Sequence, residues 1–216
     1  MLVIFDCDGV LVDSETVAFQ TDNDMVRSLG LDWTIEACMQ KFLGRSTKSC
    51  VEVIEAALGR PVPDGWVEAW HGAMHDSLRR NGVPPISGIF EALDALEAAR
   101  VPYCVASSGE MEKMDITLGS SGLMPRVAGR IYNSAMVARG KPAPDLFLYA
   151  AKSMGAQPAA CVVVEDSVAG VSAGIAAGMR VMAYAAAAYT DREGMRRAGG
   201  ELFDDMAALP RLIGVA

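Results

Sequence analysis

Short, continuous apolar runs punctuate the chain: Leu2-Val3-Ile4-Phe5, Val101 to Ala106, Cys161-Val162-Val163-Val164 and Val181-Met182-Ala183-Tyr184. Runs of four to six apolar residues without polar alternation are the pattern of strands covered on both faces. Each of the first three gives way to small or acidic residues and then to a helix-period stretch. The fourth follows the helical pattern Val168 to Ala177. Strand, loop and helix alternating in this way predict an α/β fold, a three-layer, doubly wound parallel sheet of the Rossmann-like kind. Ligands of such sheets sit beyond the carboxyl ends of the strands, so chemistry is expected in the polar residues just past those ends.

Between the first and second runs the texture changes. Val17, Thr21, Met25 and Leu29 recur at helical spacing ahead of Gly30, a plausible stop. Ser46 is placed to cap a helix carrying Val51, Ile54 and Leu58, which Gly59 ends. Trp66, Trp70 and Met74 share one face of another helix before the Val83-Pro84-Pro85 break. No strand pattern competes. The expectation is an α-helical domain over 14–85, inserted into an α/β core made of 1–13 and 86–216.

Composition fits this picture and narrows the partners. With 51% apolar and 21% charged residues in 216, the chain can bury a sizeable interior and is not disordered. Its 19 basic and 27 acidic side chains give 19 − 27 = −8, which argues against nucleic-acid or anionic-membrane binding. A small anionic substrate in a local pocket stays open, and a monomer suffices to build it. Five widely spaced cysteines with no Cys-x-x-Cys pair suit reduced thiols in a cytoplasm. The apolar start lacks a basic leader, and the longest late apolar run, Val181 to Tyr189, is far short of the ~20 residues that cross a bilayer. A cytoplasmic protein is expected.

The candidate chemistry lies just past the strand ends. Asp6 and Asp8 follow the first strand; in extended chain, residues two apart point the same way, and Gly9 permits a sharp turn. The second strand leads into Ser107-Ser108-Gly109, which offers a hydroxyl and backbone N–H groups near a helix start, a cradle for an oxyanion. Lys141 stands before Pro142, which biases it away from a helix. The third strand ends in Glu165-Asp166-Ser167. Together these pieces describe a phosphate site. Four carboxylates contribute −4 and a phosphoryl group about −2, against +1 from Lys141. At ~4 Å and an effective dielectric near 20, each like-charge pair costs about 4 kcal/mol, so a divalent cation is required. The ligands are hard oxygens, which selects Mg²⁺ over zinc or copper. Even then the sum stays negative, so one aspartate is expected to keep a proton and serve as a general acid.

Read in order, Asp6-Cys7-Asp8-Gly9-Val10, Ser107, Lys141 and Glu165-Asp166 resemble the four motifs of the haloacid dehalogenase superfamily of phosphohydrolases. The stretch Glu165 to Gly178 is similar to its β-phosphoglucomutase-like branch, whose cap domain is a helical insertion between the first two motifs. Ser108-Gly109, Lys113-Met114 and Leu202-Phe203-Asp204-Asp205 resemble a sugar-acid phosphate phosphatase of that branch. The resemblance implies a Mg²⁺-dependent phosphatase acting on a small phosphorylated metabolite, a sugar phosphate or a sugar-acid phosphate such as 6-phosphogluconate, with the cap closing over it. It implies Asp6 as nucleophile and Asp8 as acid and base. Asp6, Asp8 (through its backbone carbonyl), Glu165 and Asp166 would hold the metal, while Ser107, Ser108 and Lys141 would hold the phosphoryl oxygens. Asp8 speaks for phosphate chemistry rather than dehalogenation. Ala18 stands where mutases of the branch place a histidine, which favours hydrolysis over the alternative, a phosphomutase; a non-enzymatic binding protein on the same scaffold is the other rival.

Weaker signals remain. Arg45, in Gly44-Arg45-Ser46-Thr47-Lys48, is a candidate for a second anionic group of the substrate. His71 and His75 are four apart but lack the intervening glutamate of a zinc helix. Gly170, Gly174 and Gly178 read as a smooth helix face packed on the sheet, Met111, Met114 and Leu118 as a core stripe, and Cys7 as an inert thiol.

Overall fold

The computed structural model describes residues 1–42 and 47–215. Strand β1 (Leu2–Phe5) is followed by four helices: α1 (Glu15–Ser28), α2 (Ile35–Phe42), α3 (Thr47–Leu58) and α4 (Trp66–Asn81). Then come α5 (Ile89–Ala98), β2 (Tyr103–Ser107), α6 (Met111–Ser120), α7 (Met124–Val127) and β3 (Ile131–Asn133). The chain continues through α8 (Asp145–Ser153), β4 (Cys161–Glu165), α9 (Val168–Ala176) and β5 (Arg180–Tyr184). It ends with α10 (Arg192–Arg197), β6 (Glu201–Phe203) and α11 (Leu209–Leu212). It divides into two compact units, Met1–Asp13 with Pro84–Ala216, and Ser14–Val83.

The first unit holds the expected α/β architecture, a six-stranded sheet in the order β3-β2-β1-β4-β5-β6 with helices on both faces. Every neighbouring pair is parallel. The continuous apolar runs follow from this: side chains alternate between two covered faces, so both sets must be apolar. Leu2, Ile4, Cys104, Ala106, Cys161, Val163 and Val181 pack in one cluster with Phe147 of α8, Val171 of α9 and Met195 of α10. Val3, Phe5, Tyr103 and Val105 point the other way and are equally buried, with the Phe5 and Tyr103 rings meeting edge to face. The edge strands β3 and β6, of three residues each, carry no apolar run of their own and were not expected from the pattern. Short edges need only a few ladder bonds to a longer neighbour and limit pairing with other chains.

The second unit is all-helical among the described residues. Val26, Cys38, Phe42, Cys50, Ile54, Trp66 and Trp70 form its core. Of the Val17-Thr21-Met25-Leu29 series, Thr21 is buried and Met25 and Leu29 are half-buried against this core, while the other buried residues of α1 are Phe19, Asp22, Asn23 and Val26. Polar partners turn the helix: Asp22 accepts from Trp70 Nε1 at 2.8 Å, and Asn23 Nδ2 donates to the Trp33 carbonyl at 2.6 Å. Hydrogen-bonded polar groups can occupy a core position that apolar periodicity alone would reserve for Val or Met. Ser46, the expected cap of α3, lies outside the described residues. Among the described residues no helix is long and apolar enough to cross a membrane.

Candidate active site

The β1–β4 ladder places the site. Phe5 pairs with Val164, and the Asp6 N–H continues the ladder by donating to the Val164 carbonyl at 2.9 Å. Asp6 therefore stands beside Glu165 at the carboxyl edge. Strand order reverses around β1, with β2 and β3 on one side and β4 to β6 on the other, which makes this edge the switch point where doubly wound sheets bind ligands. Past Asp6 the backbone folds back, with Leu11 N and Val12 N donating to the Cys7 carbonyl. Gly9 sits in this turn at φ +72°, and a Cβ there would fall 1.9 Å from Asp166 Oδ2. Only a residue without a side chain lets the turn come this close to Asp166.

Lys141 arrives from the loop before α8 and joins the two acids. Its Nζ donates to Asp6 Oδ1 and to Glu165 Oε1, each at 2.6 Å. The three side chains are 5%, 11% and 1% exposed for Lys141, Asp6 and Glu165, and the ammonium also lies 4.9 Å from the centre of the Phe147 ring. The other Glu165 oxygen accepts from Ser167 N and Ser167 Oγ, both at 2.8 Å. Ser167 is in turn the N-cap of α9, its Oγ accepting from Gly170 N at 3.0 Å. A Cβ on Gly170 would lie 1.7 Å from Glu165 Oε1, so this glycine makes room for the carboxylate. Both oxygens of Glu165 are thus engaged by the protein.

One ammonium between two buried carboxylates leaves a negative charge over. Burial, aided by the Glu165 charge, outweighs the pull of Lys141 and leaves the Asp6 carboxyl raised to about 7. Burial alone would lower Lys141, but Asp6 and Glu165 more than reverse this and hold it above its ordinary range. The donor set fits a hard divalent cation: Asp6, Glu165 and Asp166 each offer an oxygen, all within 4.8 Å of one another, with no nitrogen or sulfur ligand in the group. Asp6, Glu165 and Asp166 are the candidate carboxylate ligands, Glu165 being held by Lys141 and Ser167 as well.

Asp8 takes a separate place. Its Oδ1 pairs with Lys113 Nζ at 2.9 Å, both side chains about a quarter exposed. Burial alone would lower the Lys113 ammonium, and the Asp8 charge and hydrogen bond reverse that and raise it. Ser107, buried at the end of β2, accepts from Gly109 N at 3.0 Å through Oγ, which keeps its hydroxyl proton for an acceptor. A Cβ on Gly109 would lie 3.3 Å from Ser107 Oγ and 3.4 Å from Asp8 Oδ2, so Asp8 and Ser107 flank the same turn. Ser108 is exposed, and Arg45 lies outside the described residues.

Two functional contacts escaped the sequence. Counting only Lys141 as a cation missed Lys113, which looks like a solvated lysine in the first turn of α6; its one signal was the Lys113-Met114 pair. Ser167 continues an acidic strand end, although a serine immediately ahead of a helical stretch is a capping signal. Of the glycine row, Gly170 and Gly174 pack closely, the latter 2.6 Å from Val181 Cγ2 by its would-be Cβ, whereas Gly178 meets nothing and ends α9 at φ +72°. Met114 and Leu118 are core, and all five cysteines are free and buried. Burial, with Asp8 and Asp6 beside it, holds the Cys7 thiol well above its usual range.

The chain is similar to known proteins along most of its length. A family model described as haloacid dehalogenase-like hydrolase matches residues 3–184. The chain is 30% identical over 184 residues to the 6-phosphogluconate phosphatase of Escherichia coli (strain K12), covering 85% of this chain and 82% of that one. It is 32% identical over 190 residues to hexitol phosphatase A of the same organism, covering 88% and 85%. A solved HAD family hydrolase from Deinococcus radiodurans R1, with bound phosphate and sodium, superposes with a TM-score of 0.85 at 30% identity, covering 99% of this chain and 95% of that chain.

Proposed function

The chain belongs to the haloacid dehalogenase-like hydrolase family, and we propose that it is a phosphatase that cleaves the monoester of a small sugar phosphate or sugar-acid phosphate through a phosphoryl group carried on Asp6. The observation that carries this reading is the buried Asp6–Lys141–Glu165 trio at the carboxyl edge of the central strand, with Asp166 across the Gly9 turn. An aspartate pinned by an ammonium at 2.6 Å has one oxygen fixed and the other available for in-line attack on phosphorus.

In the first half, an Asp6 carboxylate oxygen forms a bond to phosphorus as the ester P–O bond breaks, and the Asp8 carboxyl gives its proton to the departing oxygen. In the second half, Asp8 takes a proton from water, whose oxygen attacks phosphorus and frees inorganic phosphate and Asp6. Lys141 and the Ser107 hydroxyl hold the transferring oxygens, and Glu165, fixed by Ser167, keeps Lys141 in place. Mg²⁺ held by Asp6, Asp166 and the Asp8 backbone carbonyl would supply charge neutralisation for the phosphoryl oxygens. Phosphatases named for 6-phosphogluconate and for hexitols among the relatives support a polyol or sugar-acid leaving group. In the chain, Ser14–Val83 holds the position of the cap domain, and Arg45 is its candidate contact for a second anionic group.

The test is a phosphate-release screen over sugar, sugar-acid and nucleoside phosphates, with and without a chelator. Release from sugar or sugar-acid esters that stops with the chelator and in Asp6→Asn supports the reading. Release unaffected by either, or conversion of glucose 1-phosphate to its isomer without release, overturns it.

A further inference from the structure

The two aspartates that the proposed reaction uses lie two residues apart, yet the structure gives each its own ammonium. Asp6 is held by Lys141 and Asp8 by Lys113, at 2.6 and 2.9 Å. Lys113 is the third residue of α6, in the first turn, where a cation opposes the positive end of the helix dipole. A lysine there runs against local stability, and its contact with Asp8 is what sets it apart from a solvated side chain. The Asp8 carboxylate lies outside the group formed by Asp6, Glu165 and Asp166, against the Gly109 turn that also carries Ser107. A divalent cation at that group would attract a carboxylate two residues away, and a carboxylate drawn onto it is lost as a proton carrier.

We infer that Lys113 is the positioning residue for Asp8: its ammonium anchors the Asp8 side chain at the Gly109 turn, apart from the cation site, where its carboxyl group, in the protonated form the reaction needs, stands ready for the departing oxygen. This rests on the phosphatase reading above, in which Asp8 is the acid. The two are separated by leaving groups. An alkoxide leaving group, as in 6-phosphogluconate, needs the proton; p-nitrophenolate leaves without it. The parameter is kcat/KM, which covers only the steps up to transfer onto Asp6.

Lys113→Met is expected to lower kcat/KM about 100-fold for 6-phosphogluconate and less than about 5-fold for p-nitrophenyl phosphate, within the range of general acid contributions. Lys113→Arg, which keeps a cation, is expected to recover most of the loss. In a crystal structure of Lys113→Met, the Asp8 carboxylate is expected to have left the Gly109 turn. Equal losses on both esters, no loss on either, or an Asp8 carboxylate still at the Gly109 turn in the variant overturns the inference. The Asp8→Asn variant tells which reading failed. A leaving-group-selective loss there but not in Lys113→Met sinks the positioning role alone, and no selective loss in Asp8→Asn sinks the acid assignment itself.

Discussion

Gly9→Ala probes the closest approach in the site. The alanine methyl would fall 1.9 Å from Asp166 Oδ2 and 2.7 Å from its Cγ, well inside the roughly 3.5 Å at which non-bonded atoms begin to attract. Asp166 has to swing away, because the turn that carries Gly9 is tied to Cys7 and Val12 by backbone hydrogen bonds. A second cost is conformational: φ +72° puts an alanine in the left-handed region at about 1–2 kcal/mol. Gly129→Ala isolates that second cost, since Gly129 has φ +76° in the same compact unit and its would-be Cβ meets nothing within 4 Å. Both variants should lose about 2–8 °C in Tm by the usual conversion for a domain of this size. Only Gly9→Ala should weaken Mg²⁺ binding, by about 100-fold, at the upper end of what disturbing a ligand's surroundings costs. The assay is magnesium titration of phosphate release, with calorimetry on the metal alone. If the two alanine variants bind magnesium equally well, Asp166 is not the ligand that the Gly9 turn makes room for.

Two further outcomes follow from the same geometry. Ser167→Ala removes the α9 cap and one of the donors to Glu165, and should cost about 1–2 kcal/mol of stability by chemical denaturation together with a fall in kcat, as Lys141 loses a firmly seated partner; unchanged stability and kcat would contradict the chain of contacts from Gly170 to Lys141. In chelator, the burial that lifts Asp6 to about 7 from 3.8 means the folded state binds a proton that the unfolded state has already released. Stability of the wild type relative to Asp6→Asn should therefore be fully present below pH ~4 and decline as pH rises to about 7, by about 4 kcal/mol at most. Added magnesium should restore it at neutral pH, and a difference flat across this range would show that Asp6 ionises freely without metal.

How far the sequence could be read depended on whether a residue's partner is implied by a general rule. A continuous apolar run ending in Asp6, and another ending in Glu165, are both set at the carboxyl edge by a doubly wound parallel sheet, so their place at one edge was legible without coordinates, while their adjacency comes from the strand order. Ile131-Tyr132-Asn133 and Glu201-Leu202-Phe203 are too short and too exposed to show a period, and their strand state comes from the ladder bonds of their neighbours. Lys113 was illegible as a site residue because its partner lies in a different motif and nothing local marks it beyond the Lys113-Met114 pair. In α1, Asp22 and Asn23 look like solvent residues until Trp70 and Trp33 supply their hydrogen bonds. Glu165 reads from sequence as a metal ligand, and its further contacts with Lys141 and Ser167 come only with the coordinates.

The account stands on Asp6 as the atom donor to phosphorus, and chemical trapping reaches that bond directly. Enzyme turning over a sugar phosphate is acid-quenched, reduced with borohydride and digested, and the peptide from the amino terminus is read by mass spectrometry. An acyl phosphate at Asp6 is reduced to homoserine at position 6, which is the expected product. Active enzyme that yields only aspartate at position 6, or homoserine at another carboxylate, contradicts the account.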